Sequence, residues 1–133
     1  MRQPTPLGKQ LEYWRACLNG AAPPTTGDEE CLLPQPGYYK IRAKAWSKTW
    51  LPARVSLHQE IDWQTGELTE PEMPMVEIAG KPVSNVPGAH DLLSPAEEAW
   101  LRMRPVTLDE WKWLTARAAL HSAGTARPTS FSA

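Results

Sequence analysis

Five cations, Lys40, Arg42, Lys44, Lys48 and Arg54, fall between Tyr38 and Leu57 with no carboxylate among them. Strand alternation gathers Lys40, Arg42, Lys44 and Arg54 on one side of a β-hairpin, with Tyr38 and His58 alongside. Cations beside stacking-capable rings are the elements of a strand-borne nucleic-acid surface. They are also what the wet side of a sheet carries, where Lys and Arg blunt edge pairing. Four of the seven tryptophans, Trp46, Trp50, Trp63 and Trp113, fall at turns or off the apolar stripe. A ring in such a place anchors a protein interface or closes the end of a small sheet. Trp14, Trp100 and Trp111 fit apolar helix faces and belong to a core.

Groups that could do bond chemistry are sparse. No Gly-rich phosphate loop, Gly-x-Ser-x-Gly elbow or His-Glu-x-x-His is present, and the three histidines lie far apart. His58-Gln59-Glu60 has the His-x-Glu form of a zinc deaminase but lacks the Pro-Cys-x-x-Cys partner, so it reads as strand residues on a solvated face. His90-Asp91 reads as a loop pair beside a helix. Glu60, Asp62, Glu67, Glu70, Glu72 and Glu77 have no Lys or Arg between them, yet their spacing fits no calcium loop and describes an acidic edge. Cys17 and Cys31 are too few for a disulfide framework or a zinc site. No catalytic residue, metal or cofactor is expected.

The elements that must position the cations emerge from periodicity. Leu7, Leu11, Trp14 and Leu18 recur at helical spacing behind Thr5-Pro6, predicting a helix within residues 1–20 that stops at Asn19-Gly20. Residues 21–37, with four prolines and no period, read as a linker that docks through Leu32 and Leu33 and uncouples the helix from the rest of the chain. A core domain over residues 38–124 comes next. Its hairpin turns at Ser47-Lys48-Thr49, with Trp46 facing Trp50, so that Tyr39, Ile41, Ala43 and Ala45 share an apolar face with Leu51, Ala53, Val55 and Leu57. Strands are predicted over residues 75–79 and 83–86, joined at Gly80-Lys81 by a type II′ turn. Ser94-Pro95-Ala96-Glu97 and Thr107-Leu108-Asp109-Glu110 are capping boxes opening two helices, the first closed by Pro105 and the second ending before Gly124. Residues 125–133 lack periodicity and are expected to be disordered. The fold class is α+β: a small antiparallel sheet of three to four strands, its apolar face covered by the two C-terminal helices, with one N-terminal helix at an edge or against a partner.

The whole chain has 133 residues and a formal charge of −1, from 14 Lys+Arg and 15 Asp+Glu. That balance argues against a strongly basic nucleic-acid coat and against an acidic nucleic-acid mimic, although the sum hides a basic hairpin and an acidic stretch after it. No run approaches the ~18 apolar residues of a membrane span, and no apolar signal core follows the first residues. The expectation is a soluble, cytoplasmic protein without membrane contact.

Gly37-Tyr38-Tyr39-x-x-Arg42, Trp50-x-Pro52-Ala53-Arg54-Val55 and Arg104-Pro105-Val106-Thr107-x-x-Glu110-Trp111-x-Trp113-Leu114-Thr115 resemble a group of small bacteriophage and prophage proteins. The resemblance covers about half the chain. It implies a phage accessory protein, and by analogy with anti-CRISPR proteins one that binds and disables a host complex such as a CRISPR–Cas effector. The expected contact surface is the basic face with Trp46, Trp50 or Trp63. The alternatives are a nucleic-acid-binding factor in phage replication or recombination and, with the poorest support, a small hydrolase.

Overall fold

The structure, a computed structural model, describes residues 2–20, 33–44 and 46–131, with side chains through Leu120. Two short helices, α1 (Leu7–Gln10) and α2 (Glu12–Leu18), lead into β1 (Gly37–Arg42), β2 (Trp50–His58), β3 (Met73–Ile78) and β4 (Lys81–Val83). Helix α3 (Pro95–Arg102), the two-residue strand β5 (Arg104–Pro105) and α4 (Leu108–Phe131) complete the order. The fold is α+β with one antiparallel sheet in the order β4-β3-β2-β1-β5. Five strands stand where three to four are expected. The extra one is Arg104–Pro105, because a residue preceding proline is driven to extended backbone and Arg104 can therefore pair with Lys40.

That small strand decides the layering. It lies on the outer side of β1, so the chain leaves α3 on one face of the sheet and starts α4 on the other. Trp100 of α3 meets Tyr39 edge-to-face at 5.1 Å, whereas Trp111 of α4 meets Tyr38 at 5.0 Å and donates its indole N–H to the Ala53 carbonyl at 3.0 Å. The expectation that both C-terminal helices share the apolar face is thus corrected. On the α3 face, Tyr39, Ile41, Ala53, Val55 and Val76 are buried with Ala96 and Ala99. Burial pushes the Tyr39 phenol far above its ordinary pKa, and its hydroxyl donates to the Gln35 carbonyl.

Face assignment in the hairpin follows the sequence, but its register does not. Arg42 opposes Trp50, Ile41 opposes Leu51 and Tyr39 opposes Ala53, a slip of four residues from the pairing that places Trp46 against Trp50. An even slip leaves every side chain on its face, so alternation alone could not choose between the two. Pro52 fits a central strand because its ring nitrogen points toward the end of β3. There Ala79 N–H donates to the Pro52 carbonyl at 2.8 Å and no reciprocal donor is needed.

Other boundaries shift for local reasons. β3 and β4 join through Ala79-Gly80 with φ of 51° and 79°, a type I′ turn one residue earlier than predicted. Alanine is disfavoured in that left-handed conformation. Ala79→Gly is therefore expected to raise stability by roughly 1 kcal/mol in urea unfolding, and an unchanged midpoint would remove strain from this account. α3 forms both halves of its capping box, Glu97 N–H to Ser94 Oγ and Ser94 N–H to Glu97 Oε1, each 3.1 Å. At α4 the Glu110 N–H donates to Thr107 Oγ1 at 3.2 Å, while the Glu110 carboxylate turns to Lys40. α4 continues through Phe131, beyond Gly124, because a single glycine costs a helix only about 1 kcal/mol and is no stop signal.

The N-terminal segment breaks at Leu11 into two helices, and Pro6 rather than Thr5 sits at the first cap. Thr5 is used elsewhere: its hydroxyl donates to Glu72 Oε1 at 2.8 Å, and Gln59 Nε2 reaches both Thr5 O and Glu72 Oε2. The Gln59 amide, with help from Thr5, lowers the Glu72 pKa from its ordinary 4.5. A carboxylate with a depressed folded-state pKa adds stability above its ordinary pKa and loses it as pH falls through the lowered value. Glu72→Gln should therefore flatten the loss of stability below about pH 4.5 without steepening it above, as read by urea midpoints against pH. A steeper acid limb would contradict the assignment.

Trp14 is 7% exposed and donates its indole N–H to the Val106 carbonyl at 2.9 Å, so α2 belongs to the core instead of standing apart from it. The linker residues 21–32, with Leu32 and Cys31, lie outside the described residues, as do residues 132–133 of the tail. Leu33 is exposed, where the sequence predicts a docked side chain.

Candidate functional site

The cations do not form one continuous face. α4 crosses the middle of the surface that carries them, covering Tyr38 and Pro52, and this divides the basic residues into groups with different surroundings. Tyr38 is half-buried between Trp14 and Trp111, at ring distances of 5.2 and 5.0 Å, and is removed from the surface set.

The first group surrounds Trp50. Lys40 Nζ lies 4.8 Å from the ring centroid, the Arg42 guanidinium 5.0 Å and the Arg104 guanidinium 5.7 Å. Register produces this arrangement: Arg42 is the direct cross-strand neighbour of Trp50, Lys40 its diagonal neighbour, and Arg104 the partner of Lys40 in β5. Attraction between a cation and the ring's electron-rich face holds each side chain there, at roughly 0.5–1 kcal/mol in exposed settings. Glu110 Oε1 sits at the border, 3.9 Å from Lys40 Nζ, and Arg102 Nη1 donates to the Arg42 carbonyl at 3.5 Å. Three cations against one carboxylate leave the cluster positive.

The hairpin loop extends this surface. Trp46 is 79% exposed with Lys44 Nζ 5.6 Å from its centroid, and Lys48 is exposed nearby in the same loop. Ser47 N–H donates to Lys44 O and Thr49 N–H to Ser47 Oγ, which gives the tip a defined turn. On α4, Trp113 and Arg117 pair at 5.4 Å and follow Glu110 at helical spacing, so their stripe borders the cluster.

Two predicted members lie elsewhere. Arg54 sits on the β3 side of β2, its Nη2 3.5 Å from Glu77 Oε1. Trp63 is almost wholly exposed in the loop after β2, where Ile61 bridges Leu68. β2 has nine residues, roughly 26 Å at ~3.3 Å each, so Trp63 and Trp50 stand at opposite ends of the molecule. Arg104 lies outside the sequence-predicted set because Pro105 reads there only as a helix stop. The constraint proline places on its predecessor was the available signal.

The remaining motifs are accounted for without chemistry. His58 ends β2 opposite Met73, exposed. His90 and Asp91 are exposed, and neither lines the cavities beside Trp111, Tyr39 or Leu11. In the acidic stretch, Glu72 is bonded by Gln59, Glu77 pairs with Arg54, and Asp62 Oδ1 accepts from Gln64 N–H in a turn. Among the described residues no three His, Cys, Asp or Glu gather as a metal site would need, and no helix is long and apolar enough to cross a membrane. Compared with known families, curated proteins and solved structures, the chain matches none of them.

Proposed function

We propose that this chain works by binding, docking on an acidic surface of a protein partner through Trp50 with Lys40, Arg42 and Arg104 and through the adjoining Trp46 loop. The supporting observation is the crowding of Trp50. Base stacking on single-stranded nucleic acid needs an open aromatic face, and three cations already lie against this ring. The same crowding presents fixed positive charge around a half-buried indole, with an exposed indole at its rim. Aromatic anchors next to arginines are the composition of interface hot spots. The resemblance to small phage proteins makes a host complex, such as a CRISPR–Cas effector, the partner of choice.

Capture from host extract tests this reading. Immobilised wild type is expected to retain a protein that Arg42→Glu with Arg104→Glu loses and Trp63→Ala keeps. Retention by the charge-reversed variant would contradict it. So would recovery abolished by nuclease, which would favour nucleic acid instead.

A further inference from the structure

The two ends of β2 carry opposite charge. At one end Lys40, Arg42 and Arg104 surround Trp50, with Lys44 and Lys48 in the exposed Trp46 loop, against Glu110. At the other, the chain beyond His58 folds into a small hairpin. Ile61 bridges Leu68, Thr69 N–H donates to the Glu60 carbonyl, and Gly66 N–H donates to the Asp62 carbonyl at 2.8 Å. Glu60, Asp62 and Glu70 are exposed on it and Glu67 is half-buried; among the described residues none of the four lies in an ion pair. Arg2, whose carbonyl accepts the Leu68 N–H, offsets part of this charge and leaves the hairpin acidic.

The tip of that hairpin is Trp63, 98% exposed. Its turn is already fixed, by Asp62 N–H on the Glu67 carbonyl and Gln64 N–H on Asp62 Oδ1, so covering the ring orders little backbone. A rigidly presented indole among charges has the composition of an interface anchor. Each copy of the chain therefore carries a basic aromatic surface at one end and an acidic loop with an aromatic tip at the other, with complementary charge.

From this arrangement we infer that the Trp50 face docks the Trp63 loop of a second copy of this chain. The inference rests on the reading of the Trp50 end as a surface for acidic protein, and it makes the chain a competitor of any other partner for that end. Because the two patches are unlike, the contact is heterologous and adds copies head to tail instead of closing a two-fold pair. A single loop tip buries less than the ~1,200 Å² of a stable complex, so the contact is weak, with Kd on the order of 1 mM. At ~50 µM the chain is then essentially single and its two ends respond independently.

The test follows the indole N–H signals of Trp50 and Trp63 in labelled protein from ~50 µM to ~1 mM. In wild type both are expected to move together as concentration rises and to return as salt is added. Arg42→Gln with Arg104→Gln weakens one end and Glu60→Gln with Glu70→Gln the other, so each variant alone should associate about tenfold more weakly. An equal mixture keeps one intact pair of ends: Trp63 of the first variant and Trp50 of the second should shift, and sedimentation should stop at two chains. Trp63→Ala should also weaken association about tenfold and supplies the comparison if a double variant does not fold. Wild-type signals that ignore concentration, or a mixture that does not pair, would overturn the proposal. The Glu60→Gln with Glu70→Gln variant keeps the Trp50 end whole, so its binding of a glutamate-rich peptide shows separately whether the docking reading stands.

Discussion

Truncating Trp14 to alanine is expected to destabilise the fold by about 4 kcal/mol, a large part of the 5–15 kcal/mol that a domain ordinarily has. The indole is buried and packs edge-to-face on Tyr38 at 5.2 Å. It also ties α2 to the segment between β5 and α4 through its bond to the Val106 carbonyl. Removing it opens a cavity, breaks an aromatic pair and leaves a buried carbonyl without its donor, three losses that add in one direction. Trp14→Phe keeps most of the packing and loses the hydrogen bond, so it should fall between wild type and alanine. Urea unfolding with matched m-values is the measurement. A loss below about 1 kcal/mol, the scale of an exposed side chain, would mean that α2 is not part of the core.

The second large effect belongs to a glycine. A Cβ on Gly37 would lie 2.5 Å from Trp14 Cβ and 2.6 Å from Cγ, at the start of β1 where Gly37 pairs with Val55. Neither neighbour is the end of a flexible side chain, so the strand or the helix must move. Gly37→Ala is expected to cost about 3 kcal/mol, the upper range for overpacking. The share of the indole ring can be measured, because residues in contact are not additive. Trp14→Ala removes Cγ and Cδ1 but keeps the Cβ at 2.5 Å, and the φ of 154° at Gly37 disfavours any side chain. Gly37→Ala should therefore still cost more than about 1 kcal/mol in that background. A cost below about 1 kcal/mol there would show that the indole ring alone, and neither the Cβ contact nor the backbone conformation, excludes a side chain.

These two residues also show where the sequence was legible. Helical spacing identified Trp14 as an apolar-face residue, and strand alternation identified Tyr39, Ile41, Ala53 and Val55 as one face; all five are buried. Periodicity reports the face of an element and is silent about what that face meets, so the contact between Gly37 and Trp14 could not be read from it. The hairpin register failed for a related reason. A period of two cannot distinguish pairings that differ by four, and the loop from Ala43 to Thr49 has no Asn-Gly or Gly-Gly to fix the turn.

The candidate site divides in the same way. The distinction between core and off-stripe tryptophans held at the extremes: Trp14 is buried, while Trp46, Trp63 and Trp113 are exposed. The reading of one basic face did not hold, because Arg104–Pro105 forms an edge strand that sends α4 over the middle of that face. Trp111 of α4 and Trp14 cover Tyr38, the hairpin register separates Arg54 from Arg42, and the strand brings Arg104, remote in sequence, to Trp50. A two-residue strand has no periodicity of its own, so its consequences were visible only in three dimensions.

Whether the cations fixed on Trp50 make a docking surface for acidic protein is decided at the indole N–H signal of Trp50. Labelled protein is titrated with a glutamate-rich peptide and, separately, with single-stranded oligothymidine. The Trp63 signal, at the far end of β2, is the internal control. The predicted result is a saturable shift of Trp50 with the peptide, none at Trp63, and loss of the response in Arg42→Glu with Arg104→Glu. A Trp50 signal that ignores the peptide, or that responds more strongly to the oligonucleotide, would contradict the docking assignment.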